Sequence, residues 1–584
     1  MSSYTPPLRD VRFVLTNLLD IEGYSSLPAF AAVDADLIDS IIEEGGRFCA
    51  EVIAPINQVG DREGCTRHAD GSVTTPQGFP DAYAQYRDAG WGGLAMPEEF
   101  GGQGLPHVLG TAVEEFLNSS CHAFNMYTGS IIGAVLTLAA KASDELKAEW
   151  LPKIVSGEWL ATMALTEAQA GTDLGLIRTK AEASDDGSFV ISGEKIFCSG
   201  GEHDLTDNIV HLVLAKLPGA PEGSRGISLF LVPKVLPDGS RNAVSCGAIE
   251  HKMGIRASAT CVMNFDGAKG WLVGAENEGL AAMFIMMNAT RLSCGNQGLG
   301  HAEHAYQKAV SYALDRKQGR APGSDAVADP LVVHPDVRRM LMDARAFTEG
   351  FRALVLWTAL QIDLSHGAAS ESERAEADAL VGLLTPVIKA YGTDRGFETA
   401  VAMQQIFGGH GYIAEWGVEQ IVRDARVAML YEGANGVQAL DLAGRKVARD
   451  KGAVLEQFLA TVGSDCGDAD EALDFISAPL SDAVREVREA AVALMTLAKA
   501  DPNNLGAGSY AFLQMMGVTA IGWMWLRLAK AALPDREETF CAAKLITARH
   551  YALHTLPQVG MLRQKVEAGA EVLMALPAED FLRG

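Results

Sequence analysis

The sequence lacks the features that mark membrane and secreted proteins. No apolar run reaches the roughly 20 residues that a membrane-spanning helix needs. The nearest approach is residues 511–530, which Gln514, Gly517, Thr519 and Arg527 interrupt. The N-terminus also lacks the charged, apolar and small-residue order of a secretory signal. We therefore expect no membrane association, and we predict that residues 511–530 form a helix that is buried or faces another subunit.

Paired cysteines and positive charge are also scarce. The nine cysteines are dispersed, odd in number and never spaced as CxxC, which argues against a disulfide framework and against a zinc site. His301 and His304 lie close together on a predicted helix, but no further ligand cluster accompanies them, so we expect no metal. Acids outnumber Lys and Arg by 74 to 48, a formal net charge of −26. These features predict a reduced, cytoplasmic protein that does not bind nucleic acid.

The motifs of two common enzyme classes are missing. The stretches FGGHGY and CGNQGLG do not close a βαβ unit with an acid about twenty residues later, so a Rossmann dinucleotide site is not predicted. No nucleophile elbow supports Ser/His/Asp hydrolysis. Other residues must therefore carry the chemistry.

Hydrophobic periodicity divides the 584 residues into four blocks. Residues 1–160 show helix-like spacing, whereas residues 161–277 carry short strands rich in Val, Ile and Phe, punctuated by Gly, Asp and Pro. Helical patterns return over residues 278–446 and continue over residues 447–584. The pattern predicts an α+β protein with an N-terminal helical domain, a central antiparallel β-barrel or sandwich, a C-terminal four-helix bundle and an additional C-terminal helical domain.

One carboxylate stands out in the third block. Glu432 lies between Tyr431 and Gly433 among apolar and small residues, just before a helical pattern begins near Asn435. An acid is favoured near a helix N-terminus, which is one explanation. The other is a base directed at a substrate, and the residue alone does not decide between them. Apolar surroundings would raise its pKa, whereas the helix N-terminus would lower it.

The stretch ALTEAQAGTDLG is a second candidate. Its residues Thr166, Glu167, Thr172 and Asp173 crowd a turn beside small residues. Such residues favour turns because they form local hydrogen bonds, so a capped loop is one interpretation. A donor-rich loop against a polar ring is the other.

Five segments together resemble the signature segments of the acyl-CoA dehydrogenase family. They are, in order, MALTEAQAGTD, GEKIFCSGG, HKMGIRASAT, ALDRKQGR and QQIFGGHGYIAEWGVEQIVRDARVAMLYEGANGVQ. The resemblance covers residues 34–446 and implies the helix–barrel–helix fold of that family. The N-terminal segment, SGGEHDLTDNIVHLVLAKL and the C-terminal extension look most like one branch, which contains 3-(methylthio)propanoyl-CoA dehydrogenases alongside long acyl-CoA dehydrogenases of unassigned substrate.

The resemblance implies FAD as the cofactor. Phe197 takes a position usually held by a Trp that packs on the flavin, and Ser199 takes that of a Thr facing flavin N5; the alternative for both is an ordinary half-buried strand pair. Arg316 and the run from Gln405 to Gly409 would hold the pyrophosphate and adenosine across a subunit interface. The implied FAD contacts are Met163, Leu165, Thr166, Thr172, Phe197, Ser199, Arg316, Gln405, Gly408 and Gly409.

The resemblance also implies a catalytic base and a thioester site. Glu432 matches the base, and no acid lies on the helix around residues 286–295, where some relatives carry it instead. The base would remove the α-proton while donors stabilise the enolate-like carbonyl, and hydride would leave the β-carbon for the flavin. Asn288 stands where many relatives have Asp. For Arg291, the alternative interpretation is an ordinary arginine on a helix surface. The implied substrate contacts are Thr172, Asn288, Arg291, Tyr431 and Gly433.

The branch implies 3-(methylthio)propanoyl-CoA as substrate, within the degradation of dimethylsulfoniopropionate, although short straight-chain acyl-CoAs would also fit. Tyr431, Trp416 and the residues around Met126 are candidates for the acyl pocket. The implied partners are an electron-transfer flavoprotein and further copies of the chain, in a homodimer or homotetramer. Alternatives on the same fold are an acyl-CoA oxidase, a DNA-associated flavoprotein, which the acidic balance disfavours, and a flavin monooxygenase, which Glu432 disfavours. Residues 447–584 carry no legible chemistry and are predicted to cover the core or to extend the oligomer.

Overall fold

The computed structural model describes residues 4–582 and confirms the predicted α+β class, with 63% of the protein helical. Residues 1–3 and 583–584, at the ends of the first and last predicted domains, lie outside the described range. The first seven helices are α1 (Leu8–Phe13), α2 (Ala35–Phe48), α3 (Ala54–Glu63), α4 (Phe79–Asp88), α5 (His107–Thr128), α6 (Ile131–Lys141) and α7 (Asp144–Val155). The helices that follow the strands are α8 (Gly279–Asp315), α9 (Pro335–Gly367), α10 (Glu371–Ile406), α11 (Val418–Ala425), α12 (Asn435–Asp441), α13 (Ala453–Gly467), α14 (Asp474–Ala500), α15 (Asn503–Ala532), α16 (Thr539–His554), α17 (Gln558–Glu567) and α18 (Glu571–Ala575).

The strands form a small hairpin and a seven-stranded sheet. The hairpin pairs β1 (Thr66–Arg67) with β2 (Val73–Thr74). The strands of the sheet are β3 (Leu160–Ala164), β4 (Lys180–Ala183), β5 (Phe189–Ser199), β6 (Ile209–Lys216), β7 (Ile227–Pro233), β8 (Val244–Ile249) and β9 (Thr260–Leu272).

The seven-stranded sheet closes on itself. β6 pairs with β7, β7 with β9, β9 with β5, β5 with β4, and β4 with β6, while β3 and β8 extend it from β6 and β9. Most pairs are antiparallel, as predicted, but β3 and β4 run parallel to β6. The chain between β3 and β6 includes β4 and β5, and a connection of that length allows a parallel return. The barrel therefore combines parallel and antiparallel pairs, with the parallel pairs at β6.

The chain forms two compact units. The bundle unit consists of the N-terminal segment through Glu43 together with the chain from Cys294 onward, and the barrel unit is Glu44–Ser293. In the barrel unit, β7 is buried along its whole length, and β6 is buried except at its last residue. Their runs IVHLVLA and ISLFLVP are almost entirely apolar, which is typical of strands covered on both faces.

Helix α15 lies in the core of the bundle unit, which confirms the buried alternative for residues 511–530. A Cβ on Gly517 would lie 2.3 Å from the Tyr391 ring, so α15 packs closely on α10. The indole N–H of Trp525 donates to the Ala346 carbonyl oxygen at 2.8 Å, which fixes α15 against α9. Much of the C-terminal block thus packs on the helices that precede it.

Among residues 4–582, only His107–Lys141 has the length and apolar composition of a membrane-spanning helix. Within it, 61% of the most apolar window is buried, and the backbone leaves helical geometry at Cys121. This is not the segment that the sequence singled out. Core helices of globular domains also pass such a test.

Candidate active site

Phe197 presents an exposed aromatic ring on the barrel unit. It lies in β5 at a shift of register between Lys195 and Cys198, and 60% of its surface is exposed. Its φ of 57° is left-handed, which is unfavourable for a bulky residue and occurs mostly where surrounding structure imposes it. A bulge of this kind redirects a side chain out of the strand pattern. The half-buried strand pair is therefore wrong for Phe197, whereas Ser199 is half-buried and pairs with Thr260.

A buried ion pair fixes the loop beside Phe197. Lys195 is fully buried, and its Nζ donates to Glu167 Oε1 at 2.8 Å and to the Leu165 carbonyl oxygen at 3.0 Å. Thr179 donates to Glu167 through both its backbone N–H at 3.0 Å and its hydroxyl at 2.6 Å. The Ile196 N–H donates to the Thr166 carbonyl oxygen at 2.8 Å. The backbone of the loop is thus held at two successive residues.

Burial alone would raise the pKa of Glu167, but Lys195 and the hydrogen bonds outweigh it and lower this pKa to about 2. Burial lowers the pKa of Lys195 to about 8, against the opposing charge of Glu167. At neutral pH the loop therefore contains a charged, fully paired anchor. The ion pair supports the capped-loop interpretation for Glu167. Thr166 is half-buried and Thr172 is exposed, so both remain accessible to a ligand.

The remaining predicted contacts of the barrel unit lie on β3 and α8. Met163 is half-buried at the end of β3, and its carbonyl oxygen accepts from the Cys198 thiol at 3.5 Å. Arg291 is 8% exposed, so the helix-surface alternative for it is wrong. Its Nη1 donates to Asn288 Oδ1 at 3.3 Å, and Asn288 itself is exposed. The structure thus brings the two predicted α8 contacts together.

Glu432 lies in the bundle unit, in a bend just before α12. It is half-buried and has a left-handed φ of 55°. The Gln438 side-chain N–H donates to the Glu432 carbonyl oxygen at 3.1 Å, and Gly433 follows with a φ of 85°. The Tyr431 hydroxyl donates to Gln297 Oε1 on α8 at 2.5 Å. Two successive left-handed residues thus set the direction in which the carboxylate is presented.

The residues around this bend form a buried polar network. Lys389, which is fully buried on α10, donates through Nζ to the Gly433 carbonyl oxygen and to Asn435 Oδ1, each at 2.8 Å. Asn435 Nδ2 donates to Asp394 Oδ1 at 2.7 Å and to Thr393 Oγ1 at 3.0 Å. The buried cation and the buried anion thus face each other through one amide.

The segment from Gln405 to Trp416 forms an exposed corner of the bundle unit. Gln405, Gly408 and Gly409 are exposed, and a Cβ on either glycine would meet no atom within 4 Å. His410 stacks on Trp416, with ring centroids 4.5 Å apart, so one face of the predicted acyl-pocket residue Trp416 is already covered. Arg316 is exposed directly after α8.

Each unit, taken by itself, offers residues that fit a part of FAD. The barrel unit offers an exposed aromatic face beside a loop with fixed backbone, which suits a flavin ring. The bundle unit offers exposed glycine backbone and an exposed guanidinium, which suit phosphate. Across residues 4–582, no group of three or more His, Cys, Asp or Glu side chains is arranged to hold a metal ion.

The sequence interpretation missed the two lysines that fix these loops. Lys195 stands in KIFC within a strand, and Lys389 is a lone charge in the apolar helical run TPVIKAYG. A lysine at an inward position needs a partner, and that was the available signal. The partners lie far away in the chain, so only the fold identifies them.

Family models describing the acyl-CoA dehydrogenases match most of the chain. The N-terminal domain model matches residues 39–158, the middle domain model 162–268 and the C-terminal domain model 277–447. A fourth model, described as acetyl-CoA dehydrogenase C-terminal like, matches residues 455–577.

Curated relatives align over nearly the full length. The 3-methylmercaptopropionyl-CoA dehydrogenase of Ruegeria pomeroyi is 42% identical over 98% of this chain and 100% of its own. The broad-specificity linear acyl-CoA dehydrogenase FadE5 of Mycobacterium tuberculosis is 33% identical over the whole of both chains. Among solved structures, the acyl-CoA dehydrogenase of Bacillus anthracis complexed with FAD superposes with a TM-score of 0.76 at 21% identity, covering 96% of this chain and 91% of its own.

Proposed function

The chain belongs to the acyl-CoA dehydrogenase family of FAD-dependent oxidoreductases, and from that premise we propose that it converts 3-(methylthio)propanoyl-CoA to 3-(methylthio)acryloyl-CoA with Glu432 as its base. The observation that carries the assignment of the base is the left-handed bend at Glu432 and Gly433, fixed from Gln438 and Lys389. Strained, over-determined backbone of this kind is concentrated at active sites.

Glu432 would take the α-proton of the thioester. That proton is only weakly acidic, so the base must be close, oriented and partly desolvated. A half-buried carboxylate on a fixed backbone meets these needs. The Glu432 backbone N–H would donate to the thioester carbonyl and stabilise the charge that develops there.

Residues of the barrel unit would hold the flavin. Phe197 would cover one face of the ring, Ser199 would direct its hydroxyl toward N5, and Met163, Leu165 and Thr166 would face the pyrimidine edge. When bound, FAD supplies the acceptor for the hydride that leaves the β-carbon. Arg316, Gln405, Gly408 and Gly409 would hold the pyrophosphate and adenosine.

The thioether substrate is favoured by the relative from Ruegeria pomeroyi, which matches more closely than those named for linear acyl chains. Its β-carbon carries ordinary C–H bonds, so the sulfur does not change the reaction. A soft thioether sulfur suits Met and aromatic neighbours. Tyr431 and Met126 are half-buried candidates for this contact, and Thr172, Asn288 and Arg291 are candidates for the CoA arm.

A short straight-chain acyl-CoA is the second candidate. A butyryl-CoA dehydrogenase of Syntrophomonas wolfei and the broad-specificity relative both align along nearly their full lengths, at 31% and 33% identity. Butanoyl-CoA is only one chain atom shorter than the thioether acyl group. A pocket that accepts one therefore accepts the other at some rate.

We also propose an electron acceptor, an oligomeric state and a cellular compartment for the enzyme. An electron-transfer flavoprotein would reoxidise the enzyme, as the resemblance to the dehydrogenases implies. A homodimer or homotetramer would complete each FAD site, and Tyr412, which is 87% exposed next to the proposed phosphate-binding glycines, offers apolar surface for that contact. All nine cysteines are unbridged, which suits the cytoplasm.

Turnover of a panel of acyl-CoAs with an artificial electron acceptor tests the assignment. We expect the highest kcat/KM for 3-(methylthio)propanoyl-CoA and peroxide yields far below dye reduction. Glu432→Gln should retain FAD and bind thioester but lose at least about 1,000-fold in kcat, because an amide cannot take the proton. Glu415→Gln, at an exposed carboxylate of the same unit, is the matched control. Near-normal turnover by Glu432→Gln would refute the base.

A further inference from the structure

The C-terminal helix α15 reaches the network that holds the Glu432 bend. The Tyr510 hydroxyl donates to Asp394 Oδ2, and Gln514 Nε2 donates to the same oxygen at 2.9 Å. Asp394 is 2% exposed, and its other oxygen accepts from Asn435. Both oxygens of one buried carboxylate are therefore used, one by the C-terminal block and one by the helix that follows Glu432.

We propose that Tyr510 and Gln514 are positioning residues for the catalytic base, and this inference rests on the proposed function of Glu432. The path runs from α15 to Asp394, from Asp394 to Asn435, from Asn435 to Lys389, and from Lys389 to the carbonyl oxygen of Gly433. Each link is a direct hydrogen bond in the bundle unit. The C-terminal block thus acts on catalysis through this path.

Charge explains why two neutral donors matter at Asp394. Lys389 and Asp394 are a buried cation and a buried anion, separated by the Asn435 amide. A buried carboxylate needs hydrogen-bond donors on both oxygens. If the donors to one oxygen are lost, the carboxylate moves toward the donor that remains, which here is the Asn435 amide. Without Tyr510 and Gln514, Asp394 would pull on the Asn435 amide and shift the first turn of α12. That turn begins three residues after Glu432.

The geometry of the bend makes it sensitive to such a shift. Glu432 and Gly433 both have left-handed φ, and the bend persists only because its surroundings impose it. Helix α15 is a rigid reference, since it is buried on α9 and α10 through Trp525 and Gly517. The Tyr510 hydroxyl and the Gln514 amide therefore hold the network at Asp394, the end of the path that lies furthest from Gly433.

The test compares Tyr510→Phe, Gln514→Met and the double variant as full-length holoenzymes. The control is Tyr551→Phe, which loses a buried hydroxyl that donates to the Val518 carbonyl oxygen at 2.8 Å in the same unit. The measurements are kcat, KM and the isotope effect on flavin reduction with butanoyl-CoA deuterated at its α-carbon. The isotope effect reports proton removal itself, which a merely structural loss does not alter.

We expect the double variant to lose about tenfold in kcat with KM within about twofold, and to show a larger α-deuterium isotope effect, because a misplaced base slows proton removal. Tyr510→Phe, which removes one hydroxyl from a partly exposed ring, should show the same trend to a smaller extent. Values of kcat and isotope effect equal to those of Tyr551→Phe would overturn the positioning role. Glu432→Gln is measured in parallel. If this variant loses turnover, Glu432 is the base even if the positioning role fails. If it keeps turnover, both the base and the positioning role are overturned.

Discussion

At the scale of the residue, backbone conformation distinguishes the proposed catalytic positions. Phe197 and Glu432 are two of the few non-glycine residues with left-handed φ among residues 4–582. Nothing in the sequence marks either for that conformation, since Phe and Glu do not favour it. The resemblance predicted a role for each residue, but the left-handed bend at Glu432 depends on tertiary and local contacts that the sequence does not show, from Lys389 on α10 to Gly433 and from Gln438 to Glu432.

Gly433 provides a test at this scale. A Cβ there would lie 2.4 Å from Gln438 Nε2, at a φ of 85° that side chains rarely adopt. We expect Gly433→Ala to lower kcat by about 10- to 100-fold, because the bend must shift and move the carboxylate by a fraction of an ångström or more. Steady-state kinetics of the purified holoenzyme measure this.

Gly436→Ala is the control for that variant. Gly436 is the second residue of α12, three residues after Gly433, and a Cβ there would meet nothing within 4 Å. Alanine is the better helix former, so this variant should be as stable as the parent or more stable by up to about 1 kcal/mol, with unchanged kcat. Equal kinetics for the two alanine variants would show that the bend is not required.

At the scale of the element, the order of helices and strands was predictable, but the strand pairing, the helix breaks and the contacts between elements were not. The four-block pattern and the strands of the barrel follow from residue periodicity, which is a local property. The parallel pairing of β3 with β6 and the break of the last bundle helices into α11 and α12 depend on tertiary contacts. The same is true of the Glu167–Lys195 pair, in which Glu167 lies in the loop after β3 and Lys195 on β5.

The loop after β3 gives a prediction at this scale. Lys195→Met removes the donor to the Leu165 carbonyl oxygen and leaves Glu167 without its cation. We expect the loop to loosen and the dissociation constant for FAD to rise about tenfold or more, a loss of about 1.4 kcal/mol. Fluorescence titration of the apoprotein with FAD measures it.

Lys269→Met is the matched control, because Lys269 pairs with Asp186 in the same unit and the two side chains are 41% and 56% exposed. An exposed pair contributes less than about 1 kcal/mol, so FAD binding should not change. Unchanged FAD affinity in Lys195→Met as well would contradict the anchoring role of the buried pair.

At the scale of the whole molecule, buried charge joins the two ends of the chain within the bundle unit. Asp10 on α1 contacts Arg352 on α9 and Lys544 on α16, and all three are buried. Arg352 also pairs with Glu303 at 2.9 Å, and Lys544 with Glu349 at 2.7 Å. The sequence could not reveal this cluster, because Asp10 lies 342 residues from Arg352 and 534 residues from Lys544.

This cluster predicts a pH dependence of stability. Burial raises the pKa of Asp10, but Lys544 and Arg352 outweigh it, so the pKa lies below its ordinary value of 3.8. The folded state therefore releases this proton more readily than the unfolded state does. The stabilisation is present above pH 3.8 and is lost as the pH falls below it.

Asp10→Asn should remove that dependence and lower the free energy of unfolding by about 3–5 kcal/mol at neutral pH, because two buried cations lose their shared anion. Thermal or denaturant unfolding between acidic and neutral pH measures both effects. Asp482→Asn, at a largely exposed pair with Arg485, should cost less than about 1 kcal/mol. Similar losses in the two variants would show that the cluster is not a special source of stability.

The central claim is that Glu432 removes the α-proton while FAD accepts the hydride, and anaerobic single-turnover reduction tests it most directly. Mixing the holoenzyme with 3-(methylthio)propanoyl-CoA in the absence of any acceptor reports flavin bleaching free of reoxidation. We expect rapid bleaching in the wild type and an intact but unbleached flavin in Glu432→Gln at saturating thioester, at least about 1,000-fold slower. Bleaching of Glu432→Gln at the wild-type rate would contradict the account.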